Sequence, residues 1–255
     1  MRHSYLDAYN EVDSIIHRID ARIKCGLIFL FILITVLTPP TCYRRFLLLG
    51  IYLSALIGLS KIPISFFLKR SLMLLPFLLL LFAFLPFIPQ DNPGGSYNLL
   101  GKWEISQNAL IIIFNSGIKA TLSFLALTLL ISTTGFNNLM KTFQMFKIPQ
   151  VFVHTLAFMY RYIFVIQDEL QQILRAKKAR TIKKSKKTEY RALSSIIGTL
   201  FFRSYERAEN IYYAMIARGF TGKIKTLNTW KIKTRDLIFA GASVLSLTVI
   251  ILLGK

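Results

Sequence analysis

Long apolar runs alternate with short polar segments over the first half of the chain, and one more apolar run returns near its end. A transmembrane helix needs roughly 17–25 predominantly apolar residues, which four of these runs reach with their flanks. The second run is shorter and would need the whole of 43–60. The five runs are 27–37, 46–59, 72–88, 109–133 and 237–253. The pattern predicts an all-α membrane protein with about five transmembrane helices and a cytoplasmic domain of amphipathic helices.

The polar stretch between the fourth and fifth runs has the period of amphipathic helices. We expect two long helices here, at about 150–179 and about 189–218. Along the second helix, apolar and small residues recur at steps of three and four, close to a coiled-coil seam. The seam consists of Leu193, Ile197, Leu200, Ser204, Ala208, Ile211 and Met215. It predicts that the two helices cross, because Ser204 and Ala208 permit a close approach.

These patterns divide the chain into three predicted domains. An N-terminal membrane domain with four spans covers 1–134, and a cytoplasmic domain with two long crossing helices covers 135–235. A C-terminal transmembrane helix covers 236–255. Between the third and fourth runs, the segment 89–95 has the composition of a turn, with neither a helical nor a strand period.

Basic residues are concentrated in the predicted cytoplasmic domain. The net charge is +20, and 20 of the 32 Lys and Arg lie in 135–235 beside 5 Asp and Glu. Such a surface can bind nucleic acid, but in a membrane protein the commoner cause is the excess of Lys and Arg on the cytoplasmic side. This rule places the N-terminus in the cytoplasm. Arg44 and Arg45, in a loop expected outside, are an exception to it.

Patterns typical of catalysis and of metal binding are missing from the sequence. No Gly-x-x-x-x-Gly-Lys-Ser/Thr phosphate loop occurs, since 219–223 has the wrong glycine spacing and is followed by Ile224. His3, His17 and His154 are far apart in the sequence and match no metal-ligand spacing. We therefore expect no catalytic residue, no metal site and no cofactor bound by this chain.

Some ionisable residues have competing interpretations. Lys119 lies well inside the fourth apolar run, where ionisable residues are candidates for a function. A lysine that faces the bundle interior, or that snorkels from a longer tilted helix, is about equally expected, so Lys119 is not counted as a site. The acidic residues Asp168 and Glu169, and likewise Glu206 and Glu209, are surrounded by basic residues. We expect these carboxylates to form ion pairs between the crossing helices rather than to perform acid–base chemistry.

The second long helix is predicted to end in Ala217, Arg218 and Gly219. A glycine there can take the left-handed conformation that closes a helix, and the helix dipole favours a cation in the last turn. The exposed guanidinium would offer a planar fork of donors to a partner's carboxylate or carbonyls. Ordinary helix ends carry the same residue types, so these three residues need further support. An earlier basic helix ends in a similar sequence, Ala179, Arg180 and Thr181, which differs from it in the third residue.

Longer segments supply that support. The run 203–220 reads Arg-Ser-Tyr-Glu-Arg-Ala-Glu-Asn-Ile-Tyr-Tyr-Ala-Met-Ile-Ala-Arg-Gly-Phe. It closely resembles the second coupling motif of CbiQ, the transmembrane T component of cobalt energy-coupling factor (ECF) transporters. The segment 160–169 looks like the family's segment leading into its first coupling motif, and 14–24 resembles the pattern before its first span, with Ala21 where proline is usual. Together these segments cover nearly the whole chain in the expected order.

The resemblance implies a role in transport without chemistry on this chain. A T component binds two ABC-type ATPase subunits, which carry ATP and Mg, and a substrate-capture membrane subunit. By position, the ATPase-coupling residues would be Ala179, Arg180, Thr181, Ala217, Arg218 and Gly219. Thr181 departs from the glycine often found at its position. The implied location is a bacterial or archaeal cell membrane, crossed several times.

The cargo stays open between related possibilities. The segment 160–169 favours the cobalt-type transporter, which would carry cobalt or nickel and serve cobalamin biosynthesis. A shared T component that serves several vitamin-binding partners would have the same mechanism. A membrane enzyme acting on lipid is a remote alternative, since the sequence shows no clustered polar site at one membrane face.

Overall fold

The computed structural model describes residues 14, 16–40, 42–84, 96–99, 103–146, 148–180, 186–222 and 233–254. Within these ranges the chain has eight helices and one two-stranded hairpin. The elements are α1 Ala21–Leu37, α2 Tyr43–Ser60, α3 Ile64–Phe84, β1 Ser96–Leu99, β2 Trp103–Ser106, α4 Gln107–Thr134, α5 Phe136–Met145, α6 Gln150–Arg180, α7 Lys186–Ala217 and α8 Thr234–Leu253. The predicted helical fold class is confirmed, with the hairpin as a small addition.

Strands β1 and β2 form an antiparallel hairpin in which Ser96 pairs with Ser106 and Leu99 with Trp103. The hairpin follows the turn-rich segment 89–95, which lies outside the described residues. The sequence pattern did not predict these strands, because four residues are too few to show a clear alternation of apolar and polar positions.

The chain divides into two compact units. One unit, called here the membrane unit, comprises Ser4–Leu139 and Lys231–Lys255 and contains α1 to α4 and α8. The other, called here the α6–α7 unit, comprises Met140–Trp230. Helix α5 runs across the boundary. The three functional domains expected at 1–134, 135–235 and 236–255 stay a prediction.

Helices α1, α2, α4 and α8 form the core of the membrane unit. Helices α1 and α2 each pack against both α4 and α8, and α3 packs against α4. The core side chains include Phe31, Leu49, Leu53, Leu129 and Leu247. Thr35 is fully buried, and its hydroxyl donates to the carbonyl of Phe31 at 2.8 Å, so this polar group is satisfied within its own helix.

The outer surface of the membrane unit is apolar. Several large side chains on α1, α3 and α8 are each at least 67% exposed, among them Phe29, Leu72, Met73, Leu237 and Leu252. Soluble proteins rarely present such extended apolar surface to water, whereas the hydrocarbon of a bilayer accepts it. The unit therefore has the surface of a membrane protein.

Three described helices are long and apolar enough to cross a bilayer: Tyr43–Ser60, Phe114–Thr134 within α4, and Thr234–Leu253. Helix α1 has 17 residues and α3 contains Pro76, and neither is among the three. The expectation of five spans stays a prediction.

At one end of the membrane unit, where α1 and α8 begin and α4 ends, three charged residues are buried: Asp20, Lys24 and Asp236. Asp20 and Asp236 each accept a hydrogen bond from a backbone N–H at the start of their own helix, at 3.0 Å in both cases. Asp236 also accepts from the backbone N–H of Asp20 at 3.3 Å. The Lys24 ammonium donates to the carbonyl of Thr133 at 2.9 Å. These groups tie three helix ends together.

At the other end of this unit, two cations satisfy carbonyls at helix C-termini. The Lys119 ammonium donates to the carbonyl of Val36 near the end of α1 at 2.8 Å. Arg45 donates from Nη2 to the carbonyl of Ile251 in the last turn of α8 at 3.0 Å. The last carbonyls of a helix have no partner within it. Lys119 and Arg45 therefore have a structural use at these ends.

The α6–α7 unit is built on two helices of 31 and 32 residues. At 1.5 Å per residue they are about 46 and 48 Å long. Helices α6 and α7 pack as an antiparallel pair. Lys177, near the end of α6, lies 3.9 Å from Glu189 at the start of α7, whereas Glu169, earlier in α6, contacts Arg203 and Arg207 farther along α7.

Candidate functional site

Helix α7 ends at Ala217, and Gly219 has the left-handed conformation that the sequence predicts. Gly219 has φ +78°, in the left-handed region. Its N–H donates to the carbonyl of Ile216 at 2.9 Å, and the N–H of Phe220 donates to the carbonyl of Met215 at 3.0 Å. This pair of hydrogen bonds is the Schellman motif, which satisfies carbonyls that the helix itself leaves open. The chain is thereby turned sharply away from the helix axis.

Arg218 stands directly after the last helical residue. Ala217, Arg218 and Gly219 are all exposed. The ion pairs found in the described part of the chain do not include Arg218. A cation at this position is favoured by the negative end of the helix dipole. The backbone of Arg218 is held by its hydrogen bond to the carbonyl of Met215 at 3.1 Å, and its exposed side chain is open to a group on another chain.

Helix α6 ends at Arg180, so Ala179 and Arg180 occupy its last turn, and both are exposed. Thr181 lies outside the described residues. The last turn is strongly basic, with Lys177 and Lys178 beside Arg180. The dipole of α6 favours these charges as well.

The two predicted coupling ends lie far apart. Helix α7 is about 48 Å long, and the six-residue step from Arg180 to Lys186 can cover at most about 21 Å. Arg180 and Ala217 are therefore separated by at least about 25 Å. A single small ligand cannot contact both ends, whereas two separate partner chains can.

Glu169 joins the two helices by a shared ion pair. Its Oε1 lies 3.2 Å from Nη1 of Arg203, and its Oε2 lies 3.2 Å from Nη2 of Arg207. The Glu169 side chain is only 13% exposed, whereas those of Arg203 and Arg207 are 55% and 43% exposed. Arg203 and Arg207 are four residues apart on α7 and so lie on one face. The expected ion pair between the helices is confirmed for Glu169.

A groove of about 420 Å³ opens beside this ion pair. Glu169, Arg203 and Arg207 form part of its wall, together with Glu206, Asn210 and Ala214 of α7. Of the charged groups in this wall, those of Glu169, Arg203 and Arg207 join α6 to α7, which agrees with a structural use of these three charges.

The residues of the predicted seam differ in their burial. Leu200, Ser204, Ile211 and Met215 are half-buried, and Leu193, Ile197 and Ala208 are exposed. Ile197 is 68% exposed, whereas its neighbour Ile196 is only 8% exposed. The helix-crossing contact of the seam as a whole stays a prediction.

Metal-ligating side chains do not converge in the part of the chain that the structure describes. No group of three or more His, Cys, Asp or Glu there could hold a metal ion. Nδ1 of His17 lies 2.6 Å from the hydroxyl of Ser14. The two described histidines, His17 and His154, belong to different units.

A family model described as cobalt transport protein, CbiQ, matches residues 13–229. The match covers most of the chain and includes both predicted coupling ends. The chain belongs to the CbiQ family. Helix α8 lies beyond the part that the CbiQ model matches.

Curated relatives agree with membership of the CbiQ family. The energy-coupling factor transporter transmembrane protein EcfT of Bacillus subtilis is 30% identical over 247 residues, covering 89% of this chain and 87% of the relative. A protein of the same name from Limosilactobacillus fermentum is 31% identical over 228 residues, covering 82% of this chain and 81% of the relative. Uncharacterized protein MJ1571 of Methanocaldococcus jannaschii is 26% identical over 260 residues, covering 98% of this chain and 87% of the relative.

The sequence of the CbiQ-like segments did not predict the partners of one ion pair between α6 and α7. It indicated ion pairs between the helices but did not assign Arg203 and Arg207 as the partners of Glu169. The available signal was their spacing of four residues on the face of one helix. That spacing shows which arginines act together, but it does not show which carboxylate of another helix they meet.

Proposed function

We propose that this chain is the energy-coupling transmembrane permease subunit of an ECF-type ABC importer. In this role it transmits ATPase motion to a substrate-capture membrane subunit. The observation that carries the proposal is the exposed Arg218, held at the glycine-closed end of α7 inside the segment that matches the CbiQ family. The names of the Bacillus subtilis and Limosilactobacillus fermentum relatives support the same role.

Arg218 and Arg180 would insert into grooves on two ABC-type ATPase subunits. A guanidinium offers a planar fork of donors, which suits a carboxylate or a pair of carbonyls in such a groove. Ala179 and Ala217, next to these arginines, have small side chains that let a partner approach the helix end. The minimum separation of about 25 Å between the two ends supports two partner chains rather than one.

The α6–α7 pair would carry the motion between the ATPase subunits and the membrane. Because Glu169 contacts both Arg203 and Arg207, a displacement of one helix is opposed by ion pairs to the other. Closure of the ATPase dimer would displace one helix, the ion pairs would transmit part of this displacement to the other, and the crossing at the predicted seam would shift.

The cargo that we propose is a cobalt or nickel ion, selected by the capture subunit. The description of the matching family model and the cobalt-type segment 160–169 support this choice. The EcfT relatives are named without a cargo. A shared T component serving vitamin-binding partners is therefore the second candidate.

The chain itself would be non-catalytic. ATP and Mg would be bound by the ATPase subunits, and the N-terminus would lie in the cytoplasm of a bacterial or archaeal cell. The remote alternative, a membrane enzyme that acts on lipid, requires activity of the purified chain without partners.

Association with the ATPase subunits tests the coupling role. Truncating one partner of a buried, hydrogen-bonded charge pair costs about 2–5 kcal/mol, so Arg218→Ala should lower the affinity for the ATPases about 30-fold or more. The measurement is recovery of both ATPase subunits with the tagged full chain from membranes, at graded salt. A further loss is expected when Arg180→Ala is added.

Arg191→Ala is the matched control, since Arg191 is an exposed arginine of α7 away from the helix end. It should leave recovery of the ATPases unchanged. If the Arg180→Ala, Arg218→Ala double variant recovers as much of both ATPase subunits as the wild type, the proposal that these arginines bind the ATPases is wrong.

The cargo is tested separately, in cells that express the complete transporter. Uptake of radioactive cobalt should depend on this chain, and Arg218→Ala should reduce it together with ATPase recovery. If the capture subunit that copurifies with the chain binds a vitamin and cobalt uptake is absent, the shared vitamin transporter is the correct choice.

A further inference from the structure

A cavity of about 660 Å³ lies at the end of the membrane unit where α1 and α8 begin and α2 ends. Basic residues from three segments line it: Arg18 before α1, Lys61 after α2, and Lys233 and Arg235 at the start of α8. Residues that are distant in the sequence thus present positive charge to one space.

Positive charge predominates among the described residues that line this cavity. Of these described residues, Asp236 is the only acidic one. Its carboxylate already accepts hydrogen bonds from the backbone N–H groups of Lys233 and Asp20, at 3.0 and 3.3 Å. The ion pairs of the described chain include neither Lys61 nor Arg235. An anion in the cavity would relieve the repulsion between these like charges.

Apart from Ser14, the remaining described wall of the cavity is apolar. It includes Leu59 near the end of α2, and Ile238, Phe239 and Ala242 along α8. Leu59 and Ile238 are 45% and 66% exposed, on helices long and apolar enough to cross a bilayer. The cavity therefore joins a basic region at a helix end to a surface suited to hydrocarbon. A ligand that fits both parts has an anionic head and an apolar tail.

We propose that this cavity binds the phosphate-bearing headgroup of an anionic glycerophospholipid, whose acyl chains lie along Leu59 and Ile238. Clusters of Lys and Arg at the ends of membrane helices attract anionic headgroups, whereas a zwitterionic headgroup gains much less from them. This lipid site goes beyond energy coupling and does not rest on it, because its argument uses only the membrane unit.

The charge of the site can be removed while its side chains stay polar. The double variant Lys61→Gln, Arg235→Gln replaces both cations by a shorter, neutral amide. Lys69→Gln, Arg70→Gln is its matched control, because it removes the same charge from the start of α3, outside the cavity lining.

The volume of the site can be reduced independently. Gly58 lines the cavity, and a Cβ added there meets no heavy atom within 4 Å. Gly58→Leu should therefore fill part of the space without a clash at its Cβ. Gly50→Leu is the control, since Gly50 is another open glycine of α2 and lies outside the lining.

The test is native mass spectrometry of the purified full chain in detergent, titrated with dioleoyl phosphatidylglycerol, with dioleoyl phosphatidylcholine, or with soluble glycerol phosphate. The wild-type chain should retain phosphatidylglycerol about tenfold more tightly than phosphatidylcholine. Both the charge variant and Gly58→Leu should lose most of this preference, and both controls should keep it. Circular dichroism checks that each variant has the helical content of the wild type.

Three results would overturn the proposal. They are equal retention of the two lipids by the wild type, an unchanged preference in both site variants, and binding of glycerol phosphate as tight as that of phosphatidylglycerol. The last result would identify a site for soluble anions. If the charge variant does not fold, Gly58→Leu decides by itself.

Discussion

At the scale of single residues, Gly219 and Arg218 have separate tasks at the end of α7. Gly219 turns the chain with its positive φ, and Arg218 carries the charge that a partner would recognise. A Cβ added at Gly219 meets nothing within 4 Å. Glycine is therefore favoured at this position by the left-handed backbone conformation, and not by a lack of space for a side chain.

Replacing Gly219 by alanine should destabilise the chain by about 1–2 kcal/mol, because a side chain is strained in the left-handed region. Gly198→Ala is the matched control: Gly198 lies inside α7 with open space around it, so alanine should stabilise the helix by about 0.5–1 kcal/mol. The measurement is the thermal midpoint of the purified full chain in detergent. Equal shifts for the two variants would contradict the conformational role of Gly219.

Single residues also show how far sequence reasoning reaches. The left-handed conformation of Gly219 was predicted from its place after an arginine at a helix end. The role of Lys119 was not predicted, because its partner, the carbonyl of Val36, lies 83 residues earlier. A local rule can assign a residue to its own helix end, but it does not indicate which distant helix end a side chain reaches.

At the scale of elements, the α6–α7 pair is stabilised where Glu169 contacts two arginines. The arginines are about half exposed, so water and salt screen each pair, and exposed ion pairs contribute about 0.2–1 kcal/mol. The pair therefore defines how the helices meet more than it determines the stability of the whole protein.

A double-mutant cycle between Glu169→Gln and Arg207→Gln should give a coupling free energy of about 0.5–1 kcal/mol that falls as salt is added. Glu209→Gln, an exposed carboxylate of the same helix α7, is the control and should show no coupling to Arg207. Unfolding of the full chain in mixed micelles supplies the free energies. A coupling that is absent at low salt would rule out this contact as a link between the helices.

At the scale of the whole molecule, polar contacts determine how the helices of the membrane unit meet. Because apolar side chains in lipid gain little by leaving it, hydrogen bonds and close packing matter more for helix association than in water. Lys24 lies at such a junction, only 5% exposed, and its ammonium donates to the carbonyl of Thr133.

Lys24→Met should lower the free energy of unfolding by about 2–3 kcal/mol. It leaves the carbonyl of Thr133 without this donor and removes a positive charge from the end where Asp20 and Asp236 are buried. Arg44→Met, which removes an exposed charge at the start of α2, should change stability by less than about 0.5 kcal/mol. The two are compared by denaturant titration in mixed micelles. A loss for Lys24→Met no larger than that for Arg44→Met would contradict the role of the junction.

The sequence by itself determined the membrane character, the order of the long helices and the closed end of α7. Each of these depends on residues within one or two helical turns: uninterrupted apolar runs, the spacing of three and four, and a glycine after an arginine. Tertiary structure alone decided that the backbone N–H of Asp20 donates to the carboxylate of Asp236, 216 residues away, and that the Lys24 ammonium donates to the carbonyl of Thr133. It also decided that four basic residues line one cavity. These contacts depend on how distant helices pack, which the period of each separate helix does not specify.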